Sequence, residues 1–114
     1  MTGVQTCALP ICRAVSRDLC QAAVALNLPL EFNLLGMARQ AWELGKGWSC
    51  YPHADFWAVA AEEGCTAIIG FDAHEPEFLA RMDLYREAEA ALTALGMRIQ
   101  KEIAPMGKTA PFRT

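Results

Sequence analysis

Apolar and polar residues alternate along this chain in a way that divides it into helices and strands. From Arg13 the positions Val15, Leu19, Ala22, Ala23 and Leu26 recur at three- and four-residue spacing, which predicts an amphipathic helix. Asn27 and Pro29 stop that helix. Residues 28–33 then read as a short strand, with Pro29 tolerable at its beginning. Met37, Gln40, Ala41 and Leu44 allow a short second helix, ended by Gly45-Lys46-Gly47, and residues 48–52 form a connection. Pro52 opens a third helix through Gly64, with Phe56, Val59 and Ala60 on its apolar face. Residues 66–71 are a short apolar run closing in polar residues, as a buried parallel strand would. Pro76 restarts a helix that continues, with a break, to Leu95. Its stripe is Leu84, Ala88, Ala91, Leu92 and Leu95, and Gly96 caps it. Residues 97–103 alternate and read as a last strand; residues 105–114 are a tail. Helix, strand, helix, strand, helix, strand is the order of an α/β fold with parallel strands.

Composition narrows the function classes. The chain has 114 residues, 54% hydrophobic and 20% charged, which suits one small domain with a core. Its net charge of -3 comes from scattered charges of both signs, so no basic patch points to nucleic acid or to a membrane surface. No apolar run approaches the ~20 residues that span a bilayer. Cys7, Cys12, Cys20, Cys50 and Cys65 are odd in number and contain no CxxC pair. This disfavours a disulfide framework or a structural zinc site and suits free thiols in a reducing cytoplasm. Residues 1–12, MTGVQTCALPIC, lack the basic start and long apolar run of a signal peptide. They resemble the translated read-through of a sequencing adapter, which would put the native reading frame's start near Arg13. An ordinary frayed terminus is the alternative.

Two strands close alike, the first in Glu31-Phe32-Asn33 and the second in Asp72-Ala73-His74. In an extended chain, residues i and i+2 point to one face, roughly 6.6 Å apart. Each polar pair can therefore face one pocket while Phe32 and Phe71 pack under the helices. Polar pairs at the C-terminal ends of parallel strands are where α/β barrels place their sites. Asp-x-His offers a hard oxygen and an imidazole, which suit zinc, iron or manganese, and could reach two ions ~3.5–4 Å apart. A lone Asp-x-His also suits a loop turn or a helix cap. Glu31 and Asn33 suit a polar pair supporting the fold as well as a site. His53 reads as a helix-start residue, Asp55, Glu62 and Glu63 as helix charges, and Trp42, Trp48 and Trp57 as packing residues.

Three segments in order carry a resemblance: Leu30-Glu31-Phe32-Asn33-Leu34-Leu35-Gly36, Tyr51-Pro52 ahead of Phe56-Trp57, and Ile69-Gly70-Phe71-Asp72-Ala73-His74. Together they resemble the closing third of the PHP (polymerase and histidinol phosphatase) family, most nearly its histidinol-phosphatase branch, over residues 13–103. The resemblance implies the C-terminal part (residues 13–104, about three β/α units) of a distorted seven-stranded β/α barrel with a trinuclear metal cluster of Zn, Mn or Fe. It makes Asp72 and His74 metal-binding and catalytic, and Glu31 and Asn33 part of the substrate-binding mouth. Arg39 lies about one residue out of register with the arginine that holds the substrate phosphate in that branch; a solvated helix-face arginine is its alternative. The implied reaction is hydrolysis of a small phosphomonoester, L-histidinol phosphate, in histidine biosynthesis.

The family's opening H-x-H is absent from this sequence, which holds only His53 and His74. Three metals need roughly a dozen ligand positions, some filled by bridges and water. Three strands cannot close a barrel, so the missing N-terminal part of the barrel is the expected partner. Exposed strand edges and an uncovered apolar face are expected to make the isolated chain prone to association, and the missing ligands are expected to leave it inactive. Other readings are a PHP phosphoesterase acting on nucleotides or nucleic acid, and a non-catalytic PHP-like binding module.

Overall fold

The computed structural model describes residues 10–42 and 51–103. The glycine stop at 45–47, Trp48, the first nine residues and the tail lie outside them, as does the side chain of Trp42. The elements run α1 (Pro10–Ala25), β1 (Leu30–Asn33), α2 (Leu34–Trp42), α3 (Ala54–Glu62), β2 (Thr66–Gly70), a 3₁₀ turn (Pro76–Ala80), α4 (Met82–Ala94) and β3 (Arg98–Gln100). Helix α1 begins three residues before Arg13. Pro10 at its start has no N–H to lose there, so Pro10, Ile11 and Cys12 join the helix at no hydrogen-bonding cost. The break expected after Pro76 is present, because the 3₁₀ turn ends at Arg81, where α4 starts.

The three strands form one sheet in the order β1-β2-β3, and both pairs are parallel. Each helix that feeds a strand ends in the same way. Leu28 N–H bonds to Ala23 O and Asn27 N–H to Val24 O; Cys65 pairs with Ala60 and Gly64 with Ala61; Met97 pairs with Leu92 and Gly96 with Thr93. Asn27, Gly64 and Gly96 carry positive φ. This is the Schellman closure, in which one left-handed residue satisfies the last carbonyls and turns the chain back. A strand follows within two or three residues each time. Three αβ units are thus joined by one local device.

Register and burial fix the two faces of the sheet. Leu30 pairs with Ala67, Phe32 with Ile69 and Ala67 with Ile99. Phe32 and Ala67 are buried, and Leu30, Ile69 and Ile99 pack against the same cluster. Cys20 of α1, Leu34 of α2, Trp57, Val59 and Ala60 of α3, and Leu84, Ala88 and Leu92 of α4 complete that core. All four helices therefore cover one face. The alternate residues Glu31, Asn33, Thr66, Ile68, Arg98 and Gln100 take the other face, and none of them is buried.

One predicted face is corrected. On α1 the buried residues are Cys20 and Ala23, while Val15, Leu19 and Leu26 are 63%, 54% and 67% exposed. Helix α1 packs on α3 through its less apolar side. A stripe shows which side of a helix prefers burial, but not which side meets the next element of the chain. On α4 the inner part of the stripe is buried; Ala91 is exposed and Leu95, at the cap, is 40% exposed. On α3 Trp57 joins Val59 and Ala60 in the core, and its ring meets Phe32 at 5.1 Å.

Candidate metal centre and adjoining cleft

The register sets Asn33 opposite Gly70, so β1 and β2 end together and their polar pairs emerge at the same end of the sheet. Asn33 is the last residue of β1 and precedes α2 directly. Its Oδ1 accepts the Gly36 N–H at 2.8 Å, an N-cap bond to the third helical residue. Its Nδ2 then donates to Asp72 Oδ2 at 3.2 Å. Asn33 thus starts a helix with one end of its amide and holds a carboxylate with the other.

Asp72 sits two residues past β2 with φ +52, a left-handed conformation that is uncommon for a residue with a side chain and tolerated best by Asn and Asp. The turn leaves Asp72 Oδ1 3.7 Å from His74 Nε2. Both side chains are open to solvent, His74 at 67% and Asp72 at 39%. Phe71 goes the other way, stacking on Tyr85 and meeting Phe78 edge-on, each at 6.2 Å, beneath α4. The left-handed turn at Asp72 separates the packing residue Phe71 from the pair Asp72 and His74.

Glu31 lies on the same open face, and its carboxylate rests over Gly70. A Cβ at position 70 would collide with the Glu31 carboxylate oxygen and crowd the carbons behind it, so the bare backbone there makes room for Glu31. Glu31, Asn33, Asp72 and His74 therefore all gather at the C-terminal mouth. Arg39 does not join them on any described contact: it is exposed in the last turn of α2.

This mouth brings together two side chains of donor chemistry, Asp72 and His74, and an amide that holds one of them, Asn33. A carboxylate oxygen and an imidazole nitrogen 3.7 Å apart fit two positions around one ion with bonds near ~2.1 Å, or one position on each of two neighbouring ions. Asn33 is the kind of outer partner that orients a ligating carboxylate. Among the described residues no group of three or more His, Cys, Asp or Glu is arranged to hold a metal.

A cleft of about 200 Å³ adjoins the mouth on the free side of β1. Glu31 and Asn33 form one wall, Tyr51, Pro52 and His53 a second, and Phe56 and Trp57 of α3 the floor. His53 is the N-cap of α3: its Nδ1 accepts the Asp55 N–H at 3.2 Å, which leaves the ring's N–H at Nε2. Its helix-start role is legible from the sequence; its place in the cleft beside Glu31 is not, since 22 residues separate them and only the fold joins them.

Away from the mouth, Cys20 and Cys65 are buried free thiols, with Cys65 Sγ 3.5 Å from Cys20 O. Burial pushes the Cys20 thiol up to about 12, so it is inert rather than nucleophilic. Arg17 of α1 bridges Glu62 and Glu63 at the end of α3. No described helix is long and apolar enough to cross a membrane.

Comparison with known proteins assigns no family: no family model, no curated protein and no solved structure matches the chain.

Proposed function

We propose that this chain is the C-terminal part of a metal-dependent phosphomonoester hydrolase of the PHP type, with L-histidinol phosphate as the substrate by resemblance. The observation that carries the reading is the Asn33–Asp72–His74 cluster at the C-terminal end of adjacent parallel strands. Sequential parallel strands with every helix on one face also suit a β/α barrel, because a barrel keeps its helices outside and its active mouth at the strand ends. The uncovered polar face would be the barrel's interior, closed by the missing N-terminal strands.

In that setting Asp72 and His74 would hold a Zn, Mn or Fe ion, which when bound supplies a polarised phosphate and an activated water. Asn33 fixes the Asp72 carboxylate. Glu31 shapes the entrance for the substrate, and Arg39 would offer its guanidinium to the phosphate if α2 turns it to the mouth on closure. The free thiols Cys12, Cys20 and Cys65 support a reducing cytoplasm as the place of work.

The test has two arms. Purified chain loaded with manganese or zinc should show no phosphatase turnover, because two donors do not complete a catalytic site. The parent protein with the native sequence upstream of Arg13 should hydrolyse L-histidinol phosphate. Turnover by the isolated chain would refute the first expectation. A metal-replete parent that hydrolyses no phosphomonoester would refute the reading itself.

A further inference from the structure

Two thiols meet in the core, and the proposed reaction uses neither. Cys20 lies in the second half of α1, and Cys65 sits between the end of α3 and the start of β2. They are 0% and 5% exposed, and both are free. The Cys65 thiol donates to the Cys20 carbonyl at 3.5 Å, and the two thiols are hydrogen-bonded to each other. Cys65 belongs to the turn rather than to α1, since its N–H closes α3 on Ala60 O. Cys12 stands about two turns, or ~12 Å, from Cys20 along the same helix, too far for a bond between them.

Helix α1 is the element such a pair would control. Its apolar stripe faces outward, and it meets α3 through Cys20, Ala23 and the Arg17 bridge to Glu62 and Glu63. An element with so little buried apolar contact belongs to the part of a fold that opens locally. While α1 is seated, burial raises both thiols above their ordinary values and keeps them from an oxidant. When α1 lifts they are exposed, and when it reseats they return to contact. From there the sulfurs need approach by only about 2 Å to reach the ~2.05 Å of a disulfide. We propose that Cys20 and Cys65 form a redox latch, oxidised by a small-molecule disulfide to an internal disulfide that pins α1 to the turn between α3 and β2. The Cys65 thiolate attacks one sulfur of the oxidant and expels a thiolate, which takes up a proton. The Cys20 thiolate then attacks the Cys65 sulfur of the mixed disulfide and expels the second. One S–S bond breaks and one forms: the protein thiols are oxidised and the reagent is reduced to two thiols. In a compartment that keeps thiols reduced the latch stays open. This device is independent of the metal reading.

The 114-residue chain itself is the test material. Folded chain is incubated with oxidised glutathione, then quenched with acid and mapped by peptide mass. The Cys20–Cys65 cross-link should be the main product, without bound glutathione. Its urea midpoint should lie about 1–2 M above that of the reduced chain and fall back on treatment with dithiothreitol. A variant with Cys7, Cys12 and Cys50 replaced by Ser should behave alike, and Cys65→Ala should gain no cross-link at Cys20. Four results overturn the latch: no reaction of the folded chain, glutathione retained on Cys20 or Cys65, a mixture of pairings, or an oxidised chain that unfolds at the same or lower urea.

Discussion

The two faces of the sheet obey different rules. On the helix-covered face Phe32, Ala67, Ile69 and Ile99 alternate into a single core, and no polar or charged residue is buried anywhere among the described residues. On the open face Glu31, Asn33, Thr66, Ile68, Arg98 and Gln100 stand at the intervening positions, with contacts such as Arg98 Nη2 to Thr66 Oγ1 at 3.3 Å. The first face is complete in this chain and explains why it folds into α/β units. The second is uncovered and carries polar groups at both ends, Thr66 and Arg98 where β2 and β3 begin and Glu31 and Asn33 toward the mouth. Stability and chemistry are thus carried by opposite sides of the same four- and five-residue strands.

The largest expected effect breaks the open face at its mouth. In the proposed parent enzyme, Asp72→Ala or His74→Ala should lower metal content and reduce turnover by well over ~100-fold. Even loss of an outer support typically costs ~10–100-fold, and these residues would touch the ion themselves. The folded state of both variants should survive, because both side chains are exposed. Metal analysis and steady-state kinetics check this. Full occupancy with near-normal turnover in both variants would end the metal assignment.

The covered face should respond in stability instead. Leu92 is fully buried between α4 and the sheet, and Leu92→Ala should cost about 2–5 kcal/mol in denaturant unfolding. Leu19→Ala removes a side chain of the same size from the exposed side of α1 and should change stability by no more than ~0.5 kcal/mol. It should, however, reduce self-association seen by sedimentation, since Ile11, Val15, Leu19 and Leu26 form an uncovered apolar stripe. A loss of several kcal/mol from Leu19→Ala would show that the stripe is covered in solution.

Much of this was legible in the sequence, and the exceptions share a cause. A short apolar run placed β2, the stop at Asn27 and Pro29 placed the end of α1 and the start of β1, and Gly96 placed the end of α4, because those signals are local. That the two polar pairs emerge at one end was legible from the order of strands, but only Glu31-x-Asn33 closes a strand: β2 ends at Gly70, and Asp72 lies on a left-handed turn that the expected i, i+2 alternation did not foresee. What local pattern does not carry is which neighbour an element meets. It failed in part for α1: of the predicted stripe Ala23 is buried, with Cys20 beside it, while Val15, Leu19 and Leu26 are turned outward. It also failed for His53, whose capping role is local but whose cleft depends on β1.

The smallest effect concerns how α1 is fastened at all, given that its apolar side is unused. Beside the Cys20–Ala23 contact stands a polar clasp. Arg17 donates to Glu63 and, at 3.0 Å, to Glu62, and Gln21 donates to Glu63 at 3.3 Å. The bond from Arg17 holds the Glu63 carboxyl below the usual carboxylate range, helped by Gln21 and opposed by partial burial. A carboxyl whose pKa is depressed on folding contributes stability that is present above its unfolded value, near 4.5, and lost as pH falls through its lower folded value. The clasp is solvent-screened, so the contribution is modest. The expected outcome is a small extra loss of stability in the wild-type chain between neutral pH and the acid range. That increment should be absent from Glu63→Gln, which keeps an acceptor for Arg17 but does not titrate. Raised salt should shrink the same increment. Parallel urea unfolding of the two proteins across that pH range measures it. Identical pH profiles would mean that the charge on Glu63 adds nothing to the hold of α1 on α3.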